Sequence, residues 1–148
     1  MKVYIVYLLS MENSPEVTIQ TVTADKERAE DEYKRAKALI AMWRADDPDS
    51  DCWAEAHIEE AEIDAALGDT VWTVTSTCWY EVVSTGISAF LTEEEAKEFV
   101  ASEKTRLLAE NEDLMPFDED EALEESMHLC DESVMVDYYF MIESYTIK

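Results

Sequence analysis

The order strand, strand, helix, strand occurs twice in this sequence, and this repeat constrains the fold more than any other feature. Each half opens with two runs in which apolar and polar residues alternate, continues with a segment of helical periodicity, and closes with one further alternating run. We assign the first repeat to residues 1–66 and the second to residues 67–148. A repeat of this size buries too small a core to be stable alone, so we expect one compact unit. The prediction is an α+β fold, with two tandem β-β-α-β repeats forming antiparallel-rich sheets and helices packed on one face.

Both predicted helices begin at residues suited to capping their first turn. In the first repeat Thr23 and Asp25 can serve as N-caps, and in the second Thr92 is followed three residues later by Glu95, the spacing of a capping box. Apolar residues then recur at helical intervals, as on one buried face. In the first helix they are Ala29, Tyr33, Ala36, Ile40 and Trp43, and in the second Ala96, Phe99, Val100, Leu107 and Leu108.

This layout resembles that of small uncharacterised proteins of phages and bacteria. Those proteins begin with a strand similar to Val-Tyr-Ile-Val, continue with a second strand and an acid- and alanine-rich helix, and end with a strand similar to Ile-Glu-Glu-Tyr-Glu-Leu-Asp. The matching stretches here are residues 3–6, 58–64, 92–97 and 142–147. The resemblance implies a tandem strand-strand-helix-strand module and a phage-type protein, and it carries no known activity.

The charge of the chain limits what it can bind. Thirty-six Asp and Glu against eleven Lys and Arg give a net charge of −25 at pH 7. A disordered acidic tail would lack aromatic residues, whereas this chain is 47% apolar and contains four Trp, seven Tyr and only two Gly. The chain is therefore expected to fold and to carry the excess charge on its surface. Direct contact with nucleic acid or a membrane is disfavoured because both are anionic, and a basic protein partner is favoured instead.

The acids concentrate in an insertion at residues 110–133 of the second repeat, between its helix and its last strand. This segment contains eleven acids and no Lys or Arg. The acids are Glu110, Glu112, Asp113, Asp118, Glu119, Asp120, Glu121, Glu124, Glu125, Asp131 and Glu132. Pro116 can end the preceding helix and Asp118 can cap a new one. We therefore predict an acidic helix here that turns Glu121, Glu124 and Glu125 outward.

Acids on such a helix can imitate nucleic acid. Carboxylates three and four residues apart on a helix lie about 5–6 Å apart, and duplex DNA carries one negative charge per roughly 1.7 Å of its axis. We therefore predict that the eleven acids bind a basic nucleic-acid-binding protein. In composition alone the chain resembles DNA-mimic inhibitors of restriction or CRISPR enzymes. The alternatives are a solvated acidic loop without a partner and a low-affinity cation binder.

The closing strand of the second repeat has large apolar residues on both faces. Alternation places Tyr139, Met141 and Tyr145 on one face and Tyr138, Phe140 and Ile142 on the other. Either this strand is central and buried on both sides, or one face meets another chain. In the second case Tyr139, Met141 and Tyr145 are interface residues of an interaction module or a homodimer, and the acidity serves solubility.

No arrangement of residues predicts catalysis, a cofactor or a metal site. Cys52, Cys78 and Cys130 are widely spaced without a metal-binding pattern, so we expect reduced thiols. The run from Asp47 to Asp51 opens like a calcium loop but lacks the required glycine and glutamate. Hydrolase, phosphate-loop and zinc-protease motifs are absent, and no apolar run is long enough to span a membrane. We predict a non-enzymatic, cytoplasmic protein, acting in the host cytoplasm if a phage encodes it.

Overall fold

The computed structural model describes all 148 residues and shows an α+β protein with two helices and two antiparallel sheets. The elements are β1 (Lys2–Met11), β2 (Pro15–Thr23), α1 (Lys26–Asp46), β3 (Trp53–Glu62), β4 (Thr70–Tyr80), β5 (Val82–Phe90), α2 (Glu93–Glu110), β6 (Met115–Pro116), β7 (His128–Asp131) and β8 (Val136–Thr146). The chain forms two compact units. Unit 1 comprises Met1–Thr70 with Tyr145–Lys148, and unit 2 comprises Val71–Ser144.

Unit 1 contains the three-stranded sheet, in the order β2-β1-β3. Strand β1 pairs antiparallel with both neighbours, and its alternating side chains put Tyr4 and Val6 against Ala29 of α1. The end of the chain is tied to this unit, because the backbone of Lys148 bonds to Val22 and Ala24. Gly68 has a φ of 87°, a left-handed conformation that favours glycine, and donates its N–H to Ile147.

Unit 2 contains the five-stranded sheet, in the order β5-β4-β8-β7-β6. Helix α2 packs on one face, where Val74 and Phe140 of the sheet share a core with Val100 of the helix. Burying each such side chain contributes roughly 1.5–3 kcal/mol, so this face organises the unit. The opposite face of the outer strands carries the residues that form the site described below.

The predicted helix starts are confirmed. The Asp25 carboxylate caps α1 by accepting the backbone N–H groups of Glu27 and Arg28 at 3.0 and 3.2 Å. The Thr92 hydroxyl caps α2 by accepting the N–H of Glu95 at 3.1 Å. The Glu95 carboxylate accepts the N–H of Leu91, one residue earlier than a standard capping box requires.

The acidic helix expected within residues 110–133 is wrong. This segment contains the short strands β6 and β7 joined by turns at residues 117–127. Asp118 accepts the N–H of Asp120 through its side chain and that of Glu121 through its carbonyl, both at 3.0 Å. Such local bonds from Asp compete with a helix, and neighbouring like charges at helical spacing weaken one further. The carboxylates therefore do not form two rows on a helix.

Candidate interaction surface

A buried lysine holds the acidic turns against helix α2. The side chain of Lys104 is 5% exposed, and its Nζ donates to the carbonyls of Leu123 and Glu124, both at 3.1 Å. Burial lowers the pKa of Lys104, whereas the charges of Glu121 and Glu124 raise it. These two carbonyl bonds fix the turns in place because a buried ammonium needs partners for its protons.

Three further hydrogen bonds order the rest of the segment. The Asp131 carboxylate accepts hydrogen bonds from the Asn111 amide at 2.9 Å and the Ser133 hydroxyl at 2.6 Å. The bonds from Ser133 and then Asn111 lower the pKa of Asp131. Ser126, which is 1% exposed, donates its hydroxyl to the carbonyl of His128 at 2.8 Å. The acidic segment is thus tied down at both ends and in its middle.

The structure places ten of the eleven predicted acids on the surface. The exception is Asp131, which is buried and serves the structural role just described. Among the other ten, only Glu110 forms an ion pair, with Arg106 at 3.2 Å. The segment therefore presents nine exposed carboxylates that form no ion pair within the protein, although two of them, Glu121 and Glu124, act on the buried Lys104 through their charge.

The charge of unit 2 is concentrated on this segment. Unit 2 contains nineteen acids and three bases, a net charge of −16. Lys97 pairs with Glu93, Arg106 pairs with Glu103 and Glu110, and Lys104 is buried. Each base of unit 2 is thus paired or buried, and the only one whose charge acts on any of the nine acids is Lys104, through Glu121 and Glu124. A potential of this kind attracts cationic groups and raises their association rate.

An aromatic row crosses three strands on the face of the sheet opposite α2. His128 of β7 stacks between Phe117, which follows β6, and Tyr139 of β8, with ring centroids 4.4 and 4.1 Å away. The His128 Nε2 lies 2.7 Å from the Oδ1 of Asp137. We call Phe117, His128 and Tyr139 the aromatic row. Sequence reasoning missed Phe117 and His128 because their meeting depends on the cross-strand register of short strands.

The predicted interface residues of the last strand are only partly brought together. Tyr139 belongs to the aromatic row, and burial, followed by the charges of Asp137 and Cys130, raises its pKa. Met141 lies two residues further along the same face and is half-buried. Tyr145 is half-buried and belongs to unit 1. On the opposite face, Tyr138, Phe140 and Ile142 join the core with α2, as a central strand requires.

Exposed apolar side chains border the aromatic row. Phe117 is 63% exposed and Met135 is 80% exposed, and the two line one cavity of about 280 Å³ together with Glu132 and Asp137. Val134 precedes Met135 in the turn between β7 and β8 and is 48% exposed. We name Phe117, Val134 and Met135, with the half-exposed Met115 of β6, the apolar patch.

The cysteines offer no activated thiol within unit 2. Burial is the main cause that raises the pKa of both Cys78 and Cys130, and a raised pKa disfavours the nucleophilic thiolate. No group of three or more metal-ligating side chains gathers anywhere in the chain. The chemistry available at the surface is therefore that of carboxylates, aromatic rings and apolar side chains.

Comparison with protein-family models, curated proteins and solved structures gives no significant match to this chain. Neither helix combines the length and apolar character needed to cross a lipid bilayer.

Proposed function

We propose that this protein is a non-enzymatic acidic binding protein that occupies the nucleic-acid site of a basic host defence protein, as a phage-type inhibitor of restriction or CRISPR enzymes would. The observation that supports this proposal is the ordered acidic segment, in which nine exposed carboxylates form no ion pair within the protein. We further propose that the scaffold is a tandem β-β-α-β duplication with residues 110–133 inserted in its second copy. The proposed place of action is the host cytoplasm.

The anchoring contacts matter because mimicry needs fixed charges. A nucleic acid presents phosphates at defined positions, and a protein that binds it gains affinity by releasing the condensed counterions. The contacts of Lys104, Asp131 and Ser126 hold the backbone of the segment, so its carboxylates are offered without the entropy cost of ordering a loop on binding. The absence of a helix changes the spacing of the charges but leaves them exposed on an ordered backbone.

The test is competition with nucleic acid. The tagged protein is incubated with a bacterial lysate at about 0.1 M and about 0.5 M salt, conditions that differ strongly in electrostatic screening. Captured proteins are identified by mass spectrometry and then challenged with duplex DNA or RNA. We expect a nucleic-acid-binding protein that is captured at low salt, released at high salt and displaced by nucleic acid.

A matched pair of variants assigns the effect to the acidic segment. Glu112, Glu119 and Glu125 are exposed and unpaired, and they are not among the residues whose charge acts on Lys104. Reversing these three to Lys should abolish capture. The control reverses three exposed acids of unit 1, Glu30, Asp31 and Asp49, which changes net charge equally and should retain capture. Partners that ignore both nucleic acid and the reversal would refute the proposal.

A further inference from the structure

Apart from the stacking of Phe117 on His128, the apolar patch contributes little to the packing of the fold. Its side chains remain between 48% and 80% exposed, so they bury little surface within the chain. Met135 also adopts a φ of 57°, in the left-handed region where a residue with a long side chain is disfavoured and Gly or Asn is preferred. Backbone strain of this kind costs of order 1–3 kcal/mol and, when observed, points to function. The turn thus holds an exposed methionine outward at a cost to stability.

Acidic residues line the cavity of the apolar patch and follow Phe117 in the sequence. Glu132 and Asp137 line the cavity between Phe117 and Met135. Asp118, Glu119 and Asp120 follow Phe117 directly and are exposed. No Lys or Arg forms an ion pair with these acids, and the one basic group that contacts them is His128, whose Nε2 lies 2.7 Å from Asp137. An apolar patch with an anionic rim complements a segment that is both basic and apolar.

We propose that the apolar patch is the docking surface for a basic segment of the partner protein that carries an apolar anchor side chain. The anchor enters the cavity between Phe117 and Met135, and Arg or Lys side chains of the segment pair with the surrounding carboxylates. This proposal rests on the proposed function and specifies how its partner is recognised, because charge alone binds any polycation whereas an anchor selects one segment.

The side chains of the patch suit this occupant. Methionine is flexible and polarisable, and it adapts to the shape of an incoming apolar group. The exposed ring of Phe117 offers a face on which an arginine guanidinium can stack. A second copy of this chain fits less well, since it would bring two units of net charge −16 together.

The experiment measures anisotropy of two labelled peptides, an arginine-rich peptide with one leucine and the same peptide with serine in its place. The wild-type protein should bind the leucine peptide about tenfold more tightly, the gain expected from burying one apolar side chain. Met135→Asn suits the left-handed backbone, so the fold is retained or stabilised, and it should remove most of that gain. Phe117→Ser should also remove most of the gain, whereas Met42→Gln, at a methionine of α1 that is 64% exposed, should leave the gain unchanged.

Equal affinity for the two peptides would overturn the proposal, as would an undiminished gain in Met135→Asn and Phe117→Ser. Failure of both peptides to bind at low salt would also overturn it. The proposed function fails separately: if capture from the lysate is insensitive to DNA while the leucine gain persists, the patch docks basic segments without nucleic-acid mimicry. Conversely, if capture is displaced by DNA and leucine brings no gain, mimicry rests on the carboxylates alone.

Discussion

At the scale of single residues, Lys104 connects helix α2 to the acidic segment. Lys104→Ala leaves the carbonyls of Leu123 and Glu124 without their donor. We expect the free energy of unfolding to fall by about 2–3 kcal/mol, because the variant loses two hydrogen bonds from a charged donor and the packing of the buried lysine side chain. Hydrogen exchange of residues 118–126 should accelerate more than that of β4.

The exposed Lys97, paired with Glu93, is the matched control, and Lys97→Ala should cost less than about 0.5 kcal/mol. Equal losses would refute this role of Lys104.

The buried phenol of Tyr7 makes the free energy of unfolding decrease with rising pH in the alkaline range. Burial, followed by the charges of Glu59 and Glu55, raises the pKa of Tyr7 to about 12. The unfolded chain has the ordinary tyrosine value of about 10, so above that pH the unfolded state loses a proton that the folded state keeps. Stability is therefore fully present below about pH 10 and falls as the pH rises toward 12, by up to about 3 kcal/mol.

The measurement is urea unfolding at about pH 9 and about pH 11.5, on either side of the onset of this loss. Tyr7→Phe cannot ionise, so its loss between these conditions should be smaller than that of the wild type by about 2 kcal/mol. Tyr80 is 49% exposed, and Tyr80→Phe should keep the wild-type loss. If Tyr7→Phe loses as much as the wild type, the burial of this phenol does not control the alkaline limit.

At the scale of elements, the Thr92 hydroxyl caps the N-terminus of α2. Thr92→Ala removes the acceptor for the Glu95 N–H and should destabilise the protein by about 1 kcal/mol, as loss of an N-cap does. The control is Thr105→Ala, since the exposed Thr105 only bonds back to the Ala101 carbonyl within the helix. Thermal melts followed by circular dichroism should show a lower melting temperature for Thr92→Ala alone. A similar decrease in both variants would mean that the cap contributes nothing specific.

The elements also show what the sequence can predict. The caps at Asp25 and Thr92, the apolar run of β1 and the alternation in β2 are local signals, and the helices and the α+β class follow from them. The acidic segment lacks such a signal, because its turns are set by Lys104 and by the hydrogen bonds that Asp118 accepts through its carboxylate and its carbonyl, which no periodicity reveals. Its exposure was predictable from charge, and its shape was not.

The site was predictable to a similar extent. Ten acids and Tyr139 were expected at a surface, and the structure places them there or half-buried. The aromatic row could not be predicted, because Phe117 and His128 meet through the pairing of two short strands with no register signal in the sequence. Met135 could not be predicted as a site residue either, because only its backbone conformation and its exposure distinguish it.

At the scale of the whole molecule, the net charge of −25 makes self-repulsion the dominant long-range electrostatic term. The ion pairs that oppose it are largely exposed pairs on the surface, and such pairs contribute little. Salt screens both the repulsion among the acids and the attraction within the ion pairs. Because the repulsion is the larger of the two, added salt should stabilise the fold. A protein stabilised mainly by surface ion pairs would respond in the opposite way.

We accordingly expect the melting temperature to rise by a few degrees between about 20 mM and about 500 mM NaCl, equivalent to about 1 kcal/mol for a chain of this size. The variant with Glu112, Glu119 and Glu125 reversed to Lys should melt higher than the wild type at low salt and respond less to added salt. Because this variant would lose partner capture while gaining stability, the loss of capture could not be attributed to unfolding.

A melting temperature that falls with salt in the wild type would mean that attraction between charges outweighs repulsion. The excess of acids would then be compensated within the fold rather than held available for a basic partner.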